Sequence, residues 1–297
     1  MNQQFPLKKR RFGRTELMTT SVGLGGAWLM GRRADQSLES GAEIVRHALE
    51  RGVNYIDTAE CYGESELAVG MALEGYEGDC ILATKFGHIP QEFDFSRQAV
   101  LESVERSMKR LRYRPIDILQ LHTPAEPAWE SLWGAEGAIA GMIEARERGW
   151  CRYLGTTGRD VEFLLRCVET DVFDTMLVFW VYDLLNQSAA ALLKEAKAHD
   201  MGILLGSPLR MGLFGSARDE SIPHLTPTEM KRFTDLEALF AKEEGGITAG
   251  ALRFACASPY SDVVLSGAGS IAEVESVLEM TSTPLSQELE RAINEIA

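Results

Sequence analysis

Short runs of apolar residues alternate along this chain with longer segments whose apolar residues recur at helical spacing. The short runs, rich in Val, Ile and Leu, lie at residues 21–24, 54–57, 81–85, 117–122, 152–156, 175–181, 203–205 and 263–265. Nearly continuous apolar strands that are separated by helices indicate a parallel sheet buried on both faces. Eight such units in a chain of this length predict a closed (β/α)8 TIM barrel rather than an open doubly wound sheet.

The segments between these strands predict helices. They lie at residues 41–51, 65–73, 97–111, 129–148, 161–169, 188–199, 227–241, 248–257 and 271–279, and a final helix is predicted at 287–296. Ser65 and Ser96 are candidate N-caps, because a serine hydroxyl can accept a hydrogen bond from the first helical turn. The helices at the end of the chain are additions to the eight-fold repeat.

Two segments depart from the alternation of strands and helices. Residues 10–21 alternate polar and apolar positions around Gly13, which predicts a small hairpin ahead of the barrel. Residues 210–227 form the longest irregular connection, so they are the predicted mobile loop. No linker or low-complexity stretch interrupts the chain, and we therefore expect a single barrel domain over residues 1–297.

Composition narrows the classes of partner. The chain has 297 residues, 45% of them hydrophobic, and a formal net charge of −14. Nucleic acids and anionic membranes require clustered positive charge, so neither is an expected partner. No apolar run approaches the roughly 20 residues of a membrane span, and no signal peptide is recognisable, so a cytoplasmic protein is expected. Five scattered cysteines without a C-x-x-C pair predict a reducing compartment and no metal site.

Polar residues collect where three consecutive predicted strands end. Asp57 ends the second strand, Tyr62 follows in its loop, Lys85 ends the third strand and His122 ends the fourth. Each alone has an ordinary structural interpretation: a turn-forming aspartate, a lysine that reaches solvent, a hydrogen-bonded histidine. Strand ends lie about 4.8 Å apart in a sheet, so the side chains can converge at the face where barrels place their chemistry. Together they predict a catalytic site.

The chemistry of these groups suits carbonyl reduction. A phenol is a weak acid at neutral pH, and a nearby ammonium is expected to lower its pKa. Asp57 would hold Lys85 charged, His122 would donate a hydrogen bond to the substrate oxygen, and Tyr62 would protonate the developing alkoxide. No side chain can supply a hydride, so a nicotinamide cofactor is required.

These motifs resemble those of the aldo-keto reductases, and the likeness extends over nearly the whole chain. The pattern D-T-A-x-x-Y-G-x-S-E is intact at residues 57–66, residues 116–122 resemble the strand that ends in the family's histidine, and residues 207–209 read S-P-L. The resemblance places the family's catalytic tetrad on Asp57, Tyr62, Lys85 and His122. It implies a (β/α)8 barrel that binds extended NAD(P)H and interconverts carbonyls and alcohols.

Three sites depart from the commonest pattern of that family on the cofactor side. Thr157 and Gly158 stand where many members have Ser-Asn after strand five. Phe179 or Trp180 stands where a glutamine binds the carboxamide, and Gly206 replaces the aromatic residue that stacks on the nicotinamide. Together with the sequences at 155–158, 182–184 and 207–213, these changes resemble the sugar dehydrogenases that act on L-galactose, L-fucose or D-threo-aldoses.

The resemblance also assigns the cofactor contacts. They are Gly25, Gly26, Asp57, Thr157, Gly158, Phe179, Gly206, Ser207, Pro208, Leu209, Arg210, Gly267, Ala268, Gly269 and Glu273. The loop at 266–270 should cradle a phosphate with backbone N–H groups at a helix N-terminus, and Arg210 is a candidate second phosphate ligand. Members specific for NADP place Lys or Arg near this loop, whereas no basic residue lies between Arg253 and Arg291. NAD is therefore predicted over NADP.

The expected substrate is a small carbonyl compound or a sugar hemiacetal, with Trp28 and Phe86 as pocket walls, in a monomer or small homo-oligomer. A second hypothesis is a nucleotide-binding regulatory or scaffold barrel with little turnover, which the altered nicotinamide contacts favour and the intact tetrad disfavours. A lyase or isomerase that uses Lys85 as a Schiff base is a remote third hypothesis, because the motif at 57–66 is complete.

Overall fold

The structure is a computed structural model that describes residues 7–29, 37–87, 94–112, 114–122, 129–215 and 218–296. Lys9–Arg11 (β1) and Met18–Thr20 (β2) form an antiparallel hairpin. Eight further strands form a closed barrel of parallel strands in which β3 lies between β10 and β4. These strands are Val22–Gly25 (β3), Tyr55–Asp57 (β4), Ile81–Phe86 (β5), Ile116–His122 (β6), Cys151–Gly158 (β7), Thr175–Phe179 (β8), Gly202–Gly206 (β9) and Val263–Gly267 (β10). The predicted fold class is confirmed.

Helices cover the outside of the barrel and extend the C-terminal part of the chain. The α-helices are Leu38–Glu50 (α1), Ser65–Leu73 (α2), Arg97–Arg110 (α3), Trp129–Leu132 (α4), Ala138–Glu147 (α5), Val161–Glu169 (α6), Ala190–Ala198 (α7), Arg218–Ser221 (α8), Pro227–Phe240 (α9), Gly246–Ala257 (α10), Ile271–Ser282 (α11) and Gln287–Ile296 (α12). Short 3-10 helices occupy Gly26–Trp28, Arg210–Gly212 and Ile222–His224. Among the described helices, none has the length and apolar character that a membrane crossing requires.

The predicted hairpin lies against the amino-terminal ends of the barrel strands. Phe12 is fully buried and its ring contacts Tyr55 edge to face, with 5.7 Å between ring centroids. Gly13 has φ of +52°, and a Cβ there would lie 2.0 Å from the backbone nitrogen of Gly202. Only glycine allows this approach. The hairpin therefore closes the end of the barrel opposite to the predicted chemistry.

Several predicted boundaries are wrong for local reasons. The helix expected at 129–148 is broken into α4 and α5, because Gly134 adopts φ of +109° between them. The strand expected to reach residue 181 ends at Phe179, since Trp180 has φ of +64°. The connection at 210–227 contains short helices within its described residues. Ser65 is the first residue of α2 rather than its N-cap, and its hydroxyl pairs with Thr58 Oγ1 at 2.9 Å.

Candidate active site

Asp57 and Lys85 form a buried ion pair at the carboxyl-terminal ends of β4 and β5. Their exposed fractions are 4% and 3%, and Lys85 Nζ donates to Asp57 Oδ1 and, at 2.8 Å, to the carbonyl of Thr58. Burial disfavours the charged amine, but Asp57 and Tyr62 together raise the pKa of Lys85 above its ordinary value. The side chain is therefore an ammonium held inside the barrel mouth.

Gln120 donates a second side-chain hydrogen bond to Asp57, and it was not among the site residues predicted from the sequence. Its Nε2 donates to Asp57 Oδ2 at 2.7 Å, so each carboxylate oxygen has its own donor. Lys85 and Gln120 are partners in the β5–β6 register, which places both side chains on the inner face of the sheet. Gln120 is fully buried and its Oε1 has no hydrogen-bond partner among the described residues. A polar side chain inside an apolar strand, two residues before His122, was the available signal.

Tyr62 lies between Lys85 and His122. Lys85 Nζ is 4.7 Å from the centre of the Tyr62 ring and interacts with its hydroxyl, and the ring meets His122 edge to face at 5.7 Å. Burial raises the pKa of Tyr62 above its ordinary value, and the opposing effect of Lys85 does not overcome it. Lys85 thus acts on the pKa of Tyr62 in the expected direction, but burial makes the net shift upward. The phenol keeps its proton at neutral pH, which is the form that a general acid needs.

Cys61 contacts the imidazole of His122. The Sγ to Nδ1 distance is 3.5 Å, and burial raises the pKa of the Cys61 thiol to about 11. A protonated thiol can donate to Nδ1, and a neutral imidazole that accepts there carries its hydrogen on Nε2. This contact cannot be predicted from the sequence, because it arises only when the loop after β4 folds over β6.

Of the two aromatic residues predicted to line the pocket, Trp28 is half-buried and Phe86 is buried. Trp28 lies against β10: a Cβ on Gly267 would be 2.2 Å from its Cδ1. The indole of Trp28 packs on Gly267, where any larger residue would clash with it. Phe86 is only 2% exposed and packs edge to face on Phe95. It packs with the hydrophobic core, and its place in the pocket wall stays a prediction.

The predicted cofactor glycines have different surroundings. A Cβ on Gly26 would lie 2.6 Å from Ser65 Oγ, so this residue packs beneath the loop after β4, whereas Gly25 is partly exposed next to Gly267 on the neighbouring strand. On the other side of the site, Thr157 pairs with His122 in the β6–β7 register and is buried, as is the following Gly158.

A rim of partly exposed residues follows the ends of β8 and β9. Phe179 and Gly206 are partners in the register of these strands and both are partly exposed. The indole of Trp180 donates from Nε1 to Ser207 Oγ at 3.2 Å, and the guanidinium of Arg159 lies 5.1 Å from the Trp180 ring centre. Pro208 is buried and Leu209 is partly exposed. Gly206 contributes only backbone to this rim.

The guanidinium of Arg210 is held by three hydrogen bonds next to this rim. It donates to Asp183 Oδ2 at 2.8 Å, to the Trp180 carbonyl at 3.0 Å and to Glu229 Oε1 at 3.2 Å. Its side chain is 13% exposed. In this structure Arg210 ties the loop after β9 to the loop after β8 and to α9, and its predicted contact with a phosphate would require these bonds to break.

The loop after β10 has the two features predicted for a phosphate site, partly exposed glycines and an adjoining helix N-terminus. Ser270 caps α11 by accepting from the Glu273 N–H at 3.2 Å, and Glu273 Oε2 accepts from the Gly269 N–H at 2.7 Å. Ala268 is buried, whereas Gly267 and Gly269 are partly exposed. Glycines that leave backbone accessible, next to a helix N-terminus, fit a dinucleotide lying across the ends of β9 and β10. The described residues include no group of three or more His, Cys, Asp or Glu side chains arranged to hold a metal ion.

Comparison with known proteins agrees with this geometry. A model of the aldo/keto reductase family matches residues 21–297. The chain is 28% identical to L-galactose dehydrogenase of Arabidopsis thaliana, over 95% of this chain and 92% of that protein. It is 28% identical to aldo-keto reductase YhdN of Bacillus subtilis, over 95% and 91%. The holo form of aldo-keto reductase AKR11C1 from Bacillus halodurans superimposes with a TM-score of 0.82 at 25% identity, over 98% of this chain and 96% of that one.

The chain belongs to the aldo/keto reductase family. Members of this family generally reduce carbonyl compounds with NAD(P)H. The resemblance recognised in the sequence is thus confirmed at the level of the family and its fold.

Proposed function

We propose that this protein interconverts a carbonyl and an alcohol with Tyr62 as the general acid and base. The observation that carries the proposal is the position of the Lys85 ammonium, which interacts with the Asp57 carboxylate and with the Tyr62 hydroxyl. A protonated phenol, a fixed cation and a histidine edge meet at the open end of the barrel, where enzymes of this fold place their chemistry.

The roles of the side chains follow from their contacts. His122, with its hydrogen on Nε2, donates to the carbonyl oxygen and orients it towards Tyr62. When bound, the nicotinamide cofactor supplies the hydride that reduces the carbonyl carbon. Tyr62 gives its proton to the oxygen as negative charge develops there, and the Lys85 ammonium stabilises the resulting phenolate. Asp57 keeps Lys85 in place. In the direction of oxidation, Tyr62 is the base.

The proposed substrate class is small aldehydes, ketones or sugar hemiacetals, the last of which would be oxidised to lactones. Similarity to L-galactose dehydrogenase over nearly the full length of both chains supports the sugar substrate. NAD is proposed over NADP because Glu273 holds a carboxylate against the Gly269 N–H, where it would repel a 2′-phosphate.

The test is Tyr62→Phe, which removes the hydroxyl and leaves the ring. We expect kcat for aldehyde reduction to fall by roughly 10² or more, because the proton donor is lost, while the Kd for NADH stays within about twofold. Tyr76→Phe, at a half-buried tyrosine on the turn after α2, is the control and should keep its activity. Full turnover by Tyr62→Phe would exclude the proposed role.

A further inference from the structure

The loop that carries Tyr62 is fastened by a carboxylate on each side of the tyrosine. On one side is Glu60, whose side chain is 13% exposed. Its Oε1 accepts from Arg106 Nε at 2.5 Å and from Arg110 Nη1 at 3.2 Å. Its Oε2 accepts from Ser103 Oγ at 2.5 Å and from Arg106 Nη2 at 3.2 Å. All three partners lie on α3, so Glu60 joins the loop to that helix.

On the other side is Glu66, on the first turn of α2. It is fully buried, its Oε1 accepts from Thr84 Oγ1 at 2.6 Å, and its Oε2 accepts from Arg110 Nη1 at 3.2 Å. Thr84 immediately precedes Lys85 on β5. Arg110 therefore bridges the two carboxylates, and Glu66 connects the end of the tyrosine loop to the strand that carries the ammonium.

This network is costly unless it is complete. A fully buried carboxylate must be hydrogen-bonded and paired to offset its desolvation, and replacing such pairs by apolar side chains is often neutral or stabilising. Burial alone would raise the pKa of Glu60, but hydrogen bonds from Arg106 and Ser103 lower it below the ordinary value, so the carboxylate is charged at neutral pH. Stability by itself does not account for two carboxylates placed on either side of one catalytic residue.

We propose that Glu60 and Glu66, bridged by Arg110, are positioning residues that hold the Tyr62 hydroxyl against the Lys85 ammonium. This inference rests on the proposed carbonyl reduction. Proton transfer requires the reacting atoms to lie within a narrow range, and a misplacement of about 1 Å can cost roughly 10²-fold in rate. The network touches neither substrate nor cofactor in this role. It acts through the backbone of residues 58–64.

Helix α3 provides a matched control for the arginine. Arg106 and Arg97 are both 41% exposed, and each donates from Nε to one glutamate, Glu60 at 2.5 Å and Glu144 at 2.6 Å. Glu144 is 17% exposed and is paired with a second arginine, as Glu60 is. The Arg97–Glu144 pair joins α3 to α5 and does not contact the tyrosine loop. Its variants lose the same kind of ion pair elsewhere on the same helix.

The experiment compares Arg106→Gln with Arg97→Gln, and Glu60→Gln with Glu144→Gln. We expect similar changes in melting temperature within each pair and unchanged Kd for NADH in all four variants. Only Arg106→Gln and Glu60→Gln should lower kcat, by roughly 10- to 100-fold. Because Arg106 lies partly in solvent, its variant keeps the test valid even if Glu60→Gln fails to fold.

The pH profile separates positioning from general weakening of the fold. Lys85 lowers the pKa of Tyr62, so a displaced loop loses part of that effect and the pKa rises further. For alcohol oxidation, which needs the phenolate, the pH at which kcat increases should therefore move upward in Arg106→Gln and stay unchanged in Arg97→Gln.

Two outcomes would overturn this inference alone: wild-type kcat and pH profile in Arg106→Gln, or an equal loss of kcat in Arg97→Gln. Failure of the wild-type protein to turn over any carbonyl substrate would overturn the proposed function and this inference together. A normal wild-type enzyme with unaffected Arg106 and Glu60 variants would leave the proposed function standing.

Discussion

At the scale of single residues, Gln120 gives Asp57 its second donor and can be tested separately from the tetrad. Gln120→Met keeps the volume and removes the Nε2 donor, so Asp57 Oδ2 loses its 2.7 Å hydrogen bond and Lys85 is held less firmly. We expect kcat to fall about tenfold. The free energy of unfolding should change by only about 1 kcal/mol, because the variant also removes the buried Oε1 that lacks a partner among the described residues. Urea unfolding and steady-state kinetics provide the two measurements.

Thr175→Val is the control for this prediction. Thr175 is fully buried on β8, and its Oγ1 also lacks a hydrogen-bond partner within the described ranges. Its substitution should leave kcat unchanged, since it has no contact with Asp57. If both variants lose activity equally, the effect comes from disturbance of the barrel interior and Gln120 has no specific part in the reaction.

The residues that sequence could identify are those whose position along the chain fixes their position in the barrel. Asp57 and His122 end apolar strands, Lys85 lies one residue before the end of another, and parallel strand ends meet at one face. The hydrogen bonds that hold Arg210 could not be predicted, because its buried partner Asp183 lies 27 positions earlier in the chain. The net shift in the pKa of Tyr62 could not be predicted, because the sequence shows the nearby ammonium but not the degree of burial.

At the scale of elements, the alternation of strands and helices could be predicted, because the strands are nearly continuous apolar runs and the apolar residues of the helices recur at helical spacing. The points at which these elements break or end could not be predicted in the same way. Between α4 and α5, Gly134 has φ of +109° and Gly137 forms a bridge with Ser96 across the start of α3. The end of β8 depends in the same way on Trp180, whose left-handed backbone is held by hydrogen bonds to its carbonyl from Asn186 and Arg210.

The start of α11 decides the cofactor preference in our proposal. Glu273 on its first turn accepts from the Gly269 N–H, and a carboxylate there disfavours a phosphate on the 2′-hydroxyl. We expect the wild-type protein to bind NADH more tightly than NADPH. In Glu273→Gln, NADPH affinity should rise by roughly tenfold, since about 1.4 kcal/mol of repulsion is removed. Titration of tryptophan fluorescence measures both constants.

Glu279→Gln is the matched control, because Glu279 is an exposed residue of the same helix and the variant changes the net charge equally. It should leave the ratio of the two Kd values unchanged. Tighter binding of NADPH by the wild-type protein would contradict the proposed preference. It would also imply that another cation approaches the 2′-phosphate.

At the scale of the whole molecule, ion pairs at the end of the barrel that the N-terminal hairpin covers link distant parts of the chain. Arg11 pairs with Asp200, and Arg14 pairs with Asp171 and donates to the Phe173 carbonyl at 2.7 Å. These contacts join the N-terminal hairpin to the segments before β8 and β9. The proposed active site lies at the opposite end, so changes at the hairpin end should affect stability without affecting kcat.

His199 makes that stability depend on pH. Its Nδ1 lies 2.9 Å from Asp171 Oδ1, and this hydrogen bond raises the pKa of the imidazole above 6.5. Because the folded state holds the proton more tightly than the unfolded state, the contribution is fully present below pH 6.5 and is lost as pH rises through the folded pKa. We expect the melting temperature of the wild-type protein to exceed that of His199→Gln below pH 6.5, and the difference to vanish at higher pH with kcat unaffected. His224→Gln, at an exposed histidine, is the control. A difference that is constant with pH would show that His199 contributes packing and not charge.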